Sequence, residues 1–179
     1  MTFPRIKSLF AIGLLLSAGG LSLSAAAAEL KTLSVSPAEF RPASRVDGDL
    51  AWVATNGEFY YTNVDFNNRY DRENYAPLFL PHGARIKSLT VHYTDLGCSI
   101  IQDIRVALLR QNMASGAVRK LAEVSSQGLP IDPSRNVLET DAIADAVVNN
   151  NLFSYTLLVR FNNIKRDRVR FHGATIHYE

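Results

Sequence analysis

The densest group of side chains that could bind a ligand lies in one polar stretch, residues 65–75. Its carboxylate and amide oxygens could bind Ca²⁺, which takes about six to eight oxygen ligands. The candidate calcium ligands are Asp65, Asn67 and Asp71. The spacing lacks the glycine and the final glutamate of an EF-hand loop. We therefore predict no cofactor, and calcium stays an open alternative.

Aromatic rings are interleaved with these polar groups. Rings with polar neighbours suit contact with a sugar or a partner protein. We predict six ligand-binding residues, namely Phe66, Tyr70, Tyr75, Asp65, Asn67 and Asp71. We place this site in a loop at the end of the domain, from Asn63 to Asn74, and not on a sheet face, because loops on a rigid scaffold often carry binding side chains. The alternative is a loop whose rings only cap the core.

Catalytic motifs give no comparable signal. The sequence contains no G-x-S-x-G, H-E-x-x-H or C-x-x-C motif and no phosphate-binding glycine loop. Among the four histidines, His92 and His177 are predicted to point away from the core, and they could meet if their strands are neighbours. Two imidazoles are fewer than the roughly three or four protein ligands of a zinc site. We predict a protein that is not an enzyme and holds no zinc.

The first 28 residues have the pattern of a secretory signal peptide. Arg5 and Lys7 precede an apolar segment over residues 9–23, and alanines at 25–28 offer a cleavage site. Removing this segment takes away two basic residues and no acidic ones, so residues 29–179 are nearly neutral. Binding to nucleic acid by counterion release is disfavoured, since it needs an excess of Lys and Arg. We expect an exported protein, periplasmic or extracellular, without a transmembrane segment.

Cys98 is the single cysteine, so the chain cannot form an internal disulfide. A lone thiol in an exported protein can pair with a second chain. The simpler interpretation is a small half-buried side chain. A homo-oligomer therefore stays open.

Alternation of apolar and polar side chains at every second residue predicts β-strands throughout residues 29–179. The clearest strands are Phe153–Phe161, Ile104–Leu109 and Ser88–Thr94, and the weaker ones are Thr32–Ser36, Tyr75–Leu80, Val118–Ser125 and Val137–Ile143. We interpret Asp141–Val148, which is rich in alanine, as extended. These strands predict one all-β domain, an antiparallel two-sheet β-sandwich of about eight strands with a jelly-roll-like form.

Two local features refine this fold. Asn56-Gly57 favours a tight hairpin turn, whose register places Trp52 on the core face and makes it a poor candidate for sugar stacking. In the last strand, apolar residues change from odd positions (Val169, Phe171) to even positions (Ala174, Ile176). One extra residue near His172-Gly173 would restore a single buried face, so we predict a β-bulge there.

Four segments carry a resemblance. They are SPAEFRP at 36–42, LPHGARIKSLTV at 80–91, FSYTL at 153–157 and GATIHY at 173–178. In this order the chain resembles a loose group of secreted bacterial β-sandwich proteins of jelly-roll-like form. The group carries no established activity, so the resemblance implies a fold and a compartment but no site residues.

The sequence thus predicts a secreted, non-catalytic β-sandwich that binds a carbohydrate or a protein ligand. The first alternative is a self-assembling structural subunit of the envelope or extracellular matrix. The second is a hydrolase on a jelly-roll scaffold, for which the sequence places no carboxylate pair.

Overall fold

The computed structural model describes residues 29–42, 72–96, 103–162 and 169–179 of the chain. These residues form nine strands and one short 3-10 turn, Pro37–Glu39. The strands are β1 Lys31–Val35, β2 Arg41–Pro42, β3 Arg72–Leu78, β4 Ile86–Asp95, β5 Asp103–Asn112, β6 Val118–Ser125, β7 Arg135–Thr140, β8 Phe153–Asn162 and β9 Val169–Tyr178. None of the described helical segments is long and apolar enough to span a membrane.

The strands form two antiparallel sheets. The four-stranded sheet has the order β1-β9-β4-β7, and the five-stranded sheet has the order β2-β3-β8-β5-β6. Strands distant in sequence lie side by side, with β9 between β1 and β4 and β8 between β3 and β5. This interleaving is typical of a jelly roll. The predicted all-β, two-sheet sandwich is confirmed.

The core lies between the two sheets. Tyr155, Leu157, Val159 and Phe161 of β8 are all buried, while the residues between them are more exposed. The largest buried side chains come from both sheets and from the segment after the 3-10 turn, and they include Phe40, Phe161, Phe171, Ile86, Leu89 and Ile104. The alternation in the sequence therefore identified the core face correctly.

The last strand contains the predicted irregularity. His92 lies opposite Gly173, whereas the next residue, Tyr93, lies opposite Phe171, so His172 is the extra residue. Gly173 has a φ of 141°, and a Cβ atom on it would lie 3.1 Å from the carbonyl oxygen of Val35. Such a φ and so close a backbone contact favour glycine. The bulge places both apolar sets of β9 on the buried face.

Most strand ends differ from the prediction by one to three residues, and three differences have a structural interest. β3 begins at Arg72 and not at the predicted Tyr75, because its pairing with β8 starts there, and it includes Asn74, a polar residue that is buried on the inner face. β7 ends at Thr140, whose hydroxyl accepts a hydrogen bond from the Ala142 amide. Residues 141–148 are neither a helix nor an extended strand, since they contain a turn and one isolated bridge residue, Val147.

Several predictions fall on residues outside the described ranges. They include the signal peptide over residues 1–28, the hairpin that carries Trp52, and Cys98. The single domain over 29–179, export and pairing through Cys98 stay predictions.

Candidate functional site

One row of side chains on β3 faces outwards from the five-stranded sheet. Asn74, Ala76 and Leu78 are buried on the inner face of β3. Because successive residues of a strand point to opposite faces, Tyr75 and Pro77 lie on the outer face, and Phe79 continues the row directly after the strand. At about 3.3 Å per residue the row is roughly 13 Å long.

Phe79 is the most exposed large apolar residue described in the chain, with 85% of its surface accessible. A ring so exposed gains almost nothing from the hydrophobic effect in the free protein. Exposed apolar residues that lie singly on a surface are common. Phe79 differs because it borders a concave site and lies in line with a second aromatic ring, Tyr75.

A cleft of about 440 Å³ opens beside Phe79. Its lining includes Pro77, Phe79, Pro81, Asn150, Phe153 and Ser154. Two hydrogen bonds fix the turn that forms one wall, because the Asn150 side-chain amide donates to the carbonyl of Leu80 at 2.8 Å and the Asn150 backbone amide donates to His82 Nδ1 at 3.1 Å. Most of the surface of this open cleft is apolar, and its lining also includes the polar residues Asn150 and Ser154.

Polar side chains of β8 flank the β3 row. Thr156 lies opposite Pro77, and Arg160 lies opposite Glu73. Ser154 borders the cleft together with Phe79. We use the name β3–β8 surface for the set Tyr75, Pro77, Phe79, Ser154, Thr156 and Arg160. It combines an apolar row on β3 with hydrogen-bonding groups on β8, and Leu158 lies between Thr156 and Arg160 in the β8 row, opposite Tyr75.

Tyr75 is fixed in place by its neighbours. Its hydroxyl donates to Glu73 Oε2 at 2.6 Å, and Arg160 pairs with the other oxygen of the same carboxylate. The hydrogen bond to Glu73, followed by burial, raises the pKa of Tyr75 to about 12. The hydrogen bonds from Tyr75 and Arg160 lower the pKa of Glu73 below its ordinary value. The phenol therefore stays protonated and the carboxylate stays charged over the physiological range.

These pKa shifts predict how stability depends on pH. The lowered pKa of Glu73 stabilises the fold above pH 4.5, and this contribution is lost as pH falls through the lower pKa of the folded state. The raised pKa of Tyr75 stabilises the fold below about pH 10, and this contribution is lost as pH rises towards 12. We expect the difference in phenolate absorbance between wild type and Tyr75→Phe to show a step near pH 12.

Glu73→Gln is the matched variant for this titration. It removes the carboxylate that is the largest cause of the Tyr75 shift, so the step should move down towards pH 10. A step already near pH 10 in the wild type would show that the hydrogen bond does not form in solution.

Tyr75 is the one predicted ligand residue that falls within the described ranges. It lies in β3 on the sheet face and not in a loop, because Arg72–Leu78 pairs with β8 along its whole length. The predicted loop therefore overlaps β3 at its last three residues, 72–74. The other five predicted residues, Asp65, Phe66, Asn67, Tyr70 and Asp71, lie outside the described ranges, so their role stays a prediction.

The two outward histidines do not meet. β4 and β9 are neighbours, as the hypothesis required, but His92 lies opposite Gly173 and His177 lies opposite Ser88. The two histidines are thus four register positions apart, or about 13 Å along the strands. Within the described ranges no group of three His, Cys, Asp or Glu side chains could hold a metal ion.

Sequence reasoning missed Phe79, Phe153 and Ser154. A signal for Phe79 was present in the alternation of β3. Leu78 and Leu80 point inwards, so Phe79, which lies between them, must point outwards. No such signal existed for the cleft, since it forms where the turn at Asn150 meets the end of β3.

Comparison with known proteins supports the fold. No protein-family model matches the sequence, and no curated protein matches it significantly. The CBM22-1 and GH10 modules of Clostridium thermocellum endo-1,4-beta-D-xylanase 10B, solved with xylohexaose, have a similar structure, with a TM-score of 0.51 and 12% identity over 84% of this chain and 28% of that one. The chain thus spans just over a quarter of that protein. A xylan-binding module, CBM15, gives a TM-score of 0.49 and 10% identity over 83% of this chain and 97% of that one.

Proposed function

We propose that this protein is an exported, non-catalytic carbohydrate-binding module that binds an extended sugar chain along the β3–β8 surface. The observation that carries the proposal is Phe79, which is 85% exposed beside the cleft and in line with Tyr75. Export rests on the signal peptide predicted over residues 1–28.

The chemistry of the surface matches that of a sugar chain. A pyranose or furanose ring presents C–H groups on its faces and hydroxyl groups around its edge. The aromatic faces of Tyr75 and Phe79 can take the C–H faces, because weak C–H contacts and dispersion favour ring stacking. Ser154, Thr156 and Arg160 lie beside that row and can hydrogen-bond to hydroxyl groups.

The surface is also organised before any ligand arrives. Tyr75 is tied to Glu73, and the Asn150 turn is held by two hydrogen bonds. Side chains that are already ordered lose less conformational entropy when a ligand binds. Strands also hold a site more rigidly than loops do.

The scarcity of carboxylates at the β3–β8 surface and the described cleft favours binding over hydrolysis. A glycosidase needs two carboxyl groups on either side of the bond that it cleaves, one of them with a raised pKa. The residues that line the described cleft include no Asp or Glu. Glu73 lies at the far end of the row, paired with Arg160, and its pKa is lowered. It is therefore a poor general acid.

The test is calorimetric titration of the full chain with neutral hexaoses, starting with xylohexaose and cellohexaose. Xylohexaose is a reasonable first probe because it is the ligand in the similar xylanase structure. We expect saturable binding at micromolar to millimolar concentrations. Val137→Ala is the control, since Val137 is exposed on β7 of the other sheet and its loss should leave binding unchanged. No binding of these probes, or of any glycan on an array, would overturn the proposal.

A further inference from the structure

The outer face of the five-stranded sheet continues from β3 across β8 to β5 without a charged residue at its centre. The outward residues of β8 and β5 lie opposite one another in three pairs, Leu158 with Ala107, Thr156 with Leu109 and Ser154 with Gln111. Three of these residues are apolar and three are neutral hydrogen-bonding groups. The outer face of an antiparallel sheet is commonly solvated and polar, so an uncharged face that includes two leucines calls for a physical explanation.

One line of exposed residues crosses four strands of this face. Phe79 lines the cleft together with Ser154, Ser154 lies opposite Gln111 of β5, and Gln111 lies opposite Val118 of β6. All four side chains are exposed, and 60% of the surface of Val118 is accessible. Since neighbouring strands are about 4.8 Å apart, Val118 lies about 14 Å from Phe79. We call Phe79, Ser154, Gln111 and Val118 the transverse line.

Two further exposed apolar residues lie beside the transverse line. Met113 directly follows β5, Leu152 directly precedes β8, and the Met113 amide donates a hydrogen bond to the Leu152 carbonyl at 2.9 Å. Both side chains are more than half exposed. Together with Phe79 and Val118 they form a group at one end of one sheet. Single exposed apolar residues are common, whereas a contiguous group of them marks an interaction site.

The charged side chains that border this face are paired with one another. They form three ion pairs, Glu73 with Arg160, Asp103 with Arg105 and Lys120 with Glu123. Each pair is neutral as a unit, so the border offers little attraction to an ionic ligand. Complementarity of charge therefore favours a neutral partner. The mixture of apolar and neutral hydrogen-bonding groups suits the C–H faces and hydroxyl edges of sugars.

The dimensions of the face exceed those of a single sugar chain. The β3 row from Tyr75 to Phe79 is roughly 13 Å long, and the transverse line extends about 14 Å at right angles to it. A chain that follows the β3 row and hydrogen-bonds to β8 leaves β5 and β6, about 10 and 14 Å away, without contact. A chain that follows the transverse line instead leaves Tyr75 without contact. Chains that lie side by side can cover both directions.

We propose that this face binds an ordered, insoluble polysaccharide of neutral sugars, with one chain on the β3 row and a neighbouring chain over β5 and Val118. This inference rests on the proposed carbohydrate binding and names its substrate class. The alternative occupant is a second copy of this protein. The face measures only about 14 Å by 13 Å between strand backbones, which is small for the roughly 800 Å² that each partner buries in a stable interface.

The experiment compares soluble and insoluble forms of the same sugar chain. Calorimetry measures the binding of the full chain to cellohexaose and xylohexaose, and depletion from solution measures its binding to microcrystalline cellulose and to insoluble linear xylan. We expect the wild type to bind an insoluble polymer at least about 10-fold more tightly than its hexaose, because a second chain adds apolar contacts. Val118→Ala should weaken binding to the polymer by about 5- to 15-fold, since two buried methyl groups are lost. It should change hexaose affinity by less than about 2-fold, because Val118 lies beyond the reach of a chain on β3.

Val137→Ala is the matched control. It removes the same atoms from a residue that is 53% exposed on the other sheet, so neither binding constant should change. Phe79→Ala should weaken binding to both forms, because both use the β3 row. Melting temperatures verify that the variants fold. Met113→Ala, at an exposed position outside the strands, tests the same end of the face if Val118→Ala melts early.

Four results would overturn the inference. The first is a polymer bound no more tightly than its hexaose, and the second is unchanged polymer binding in both Val118→Ala and Met113→Ala. The third is an equal loss for hexaose and polymer in Val118→Ala, since it would mean that one chain crosses the strands. The fourth is a dimer in sedimentation velocity that Val118→Ala dissociates. Hexaose binding by the wild type would still support the proposed function in all four cases. A wild type that binds no hexaose and no polymer would overturn both.

Discussion

Phe79→Ala is expected to weaken oligosaccharide binding by about 30-fold or more, the loss that follows from about 2 kcal/mol at an aromatic hot spot. The free energy of unfolding should stay within about 0.5 kcal/mol of the wild type, as for other surface substitutions. The physical reason is the exposure of the ring, 85% of which is accessible in the free protein. The ring has little packing to lose and a whole face to offer a ligand.

Titration calorimetry with the neutral hexaose that binds most tightly measures the loss of affinity, and chemical denaturation measures the free energy of unfolding. Phe79→Trp keeps an aromatic face and should retain binding, whereas Phe79→Leu keeps only apolar area and should lose most of it. Wild-type affinity in Phe79→Ala would exclude this ring from the site. A marked loss of stability would mean instead that Phe79 packs against the fold in solution.

Phe171→Ala is the second large effect, and we expect it to destabilise the protein by about 3–5 kcal/mol, the usual cost of removing a fully buried phenylalanine. Phe171 has no accessible surface, and its ring meets that of Phe40 edge-to-face, with centres 5.2 Å apart and planes at 78°. The substitution removes the transfer free energy of the ring, leaves a cavity and deletes one aromatic pair.

Denaturant unfolding measures the free energy of unfolding of Phe171→Ala and of Phe79→Ala. The two values can be compared directly, because the same atoms are removed from a buried position in one variant and from an exposed position in the other. At low temperature, where the variant is still folded, Phe171→Ala should bind sugar as the wild type does. A loss of stability below about 1 kcal/mol would show that the bulged end of β9 repacks around the missing ring.

The sequence predicted the parts of the fold that follow from local pattern. Strict alternation in β8 identified its buried face, since a strand with one buried side must alternate. The change of phase between Phe171 and Ala174 predicted the bulge at His172, because only an extra residue keeps both sets buried. Both inferences needed nothing beyond the chain itself.

Features that depend on tertiary contacts escaped prediction. Asn74 is buried at a position where polarity suggests a loop, so β3 extends further than the pattern indicated. The separation of His92 and His177 depends on strand register, which alternation does not define. Asp145 has a φ of +46° and pairs with Arg110 of β5 and Arg119 of β6, and no local sequence pattern indicates these contacts. The cleft beside Phe79 could not be predicted either, because it forms only where the turn at Asn150 meets the end of β3.

The position of β9 has a consequence for how the chain folds. β9, residues 169–178, lies between β1 and β4, so β1 has no described partner in its sheet until nearly the whole chain has been made. Contacts between segments so far apart in sequence carry a large entropic cost of loop closure, and folds dominated by them form in milliseconds to seconds. β4 and β7 can pair earlier, but the sheet closes only when its last strand arrives. During synthesis the four-stranded sheet therefore stays incomplete until β9 has been released.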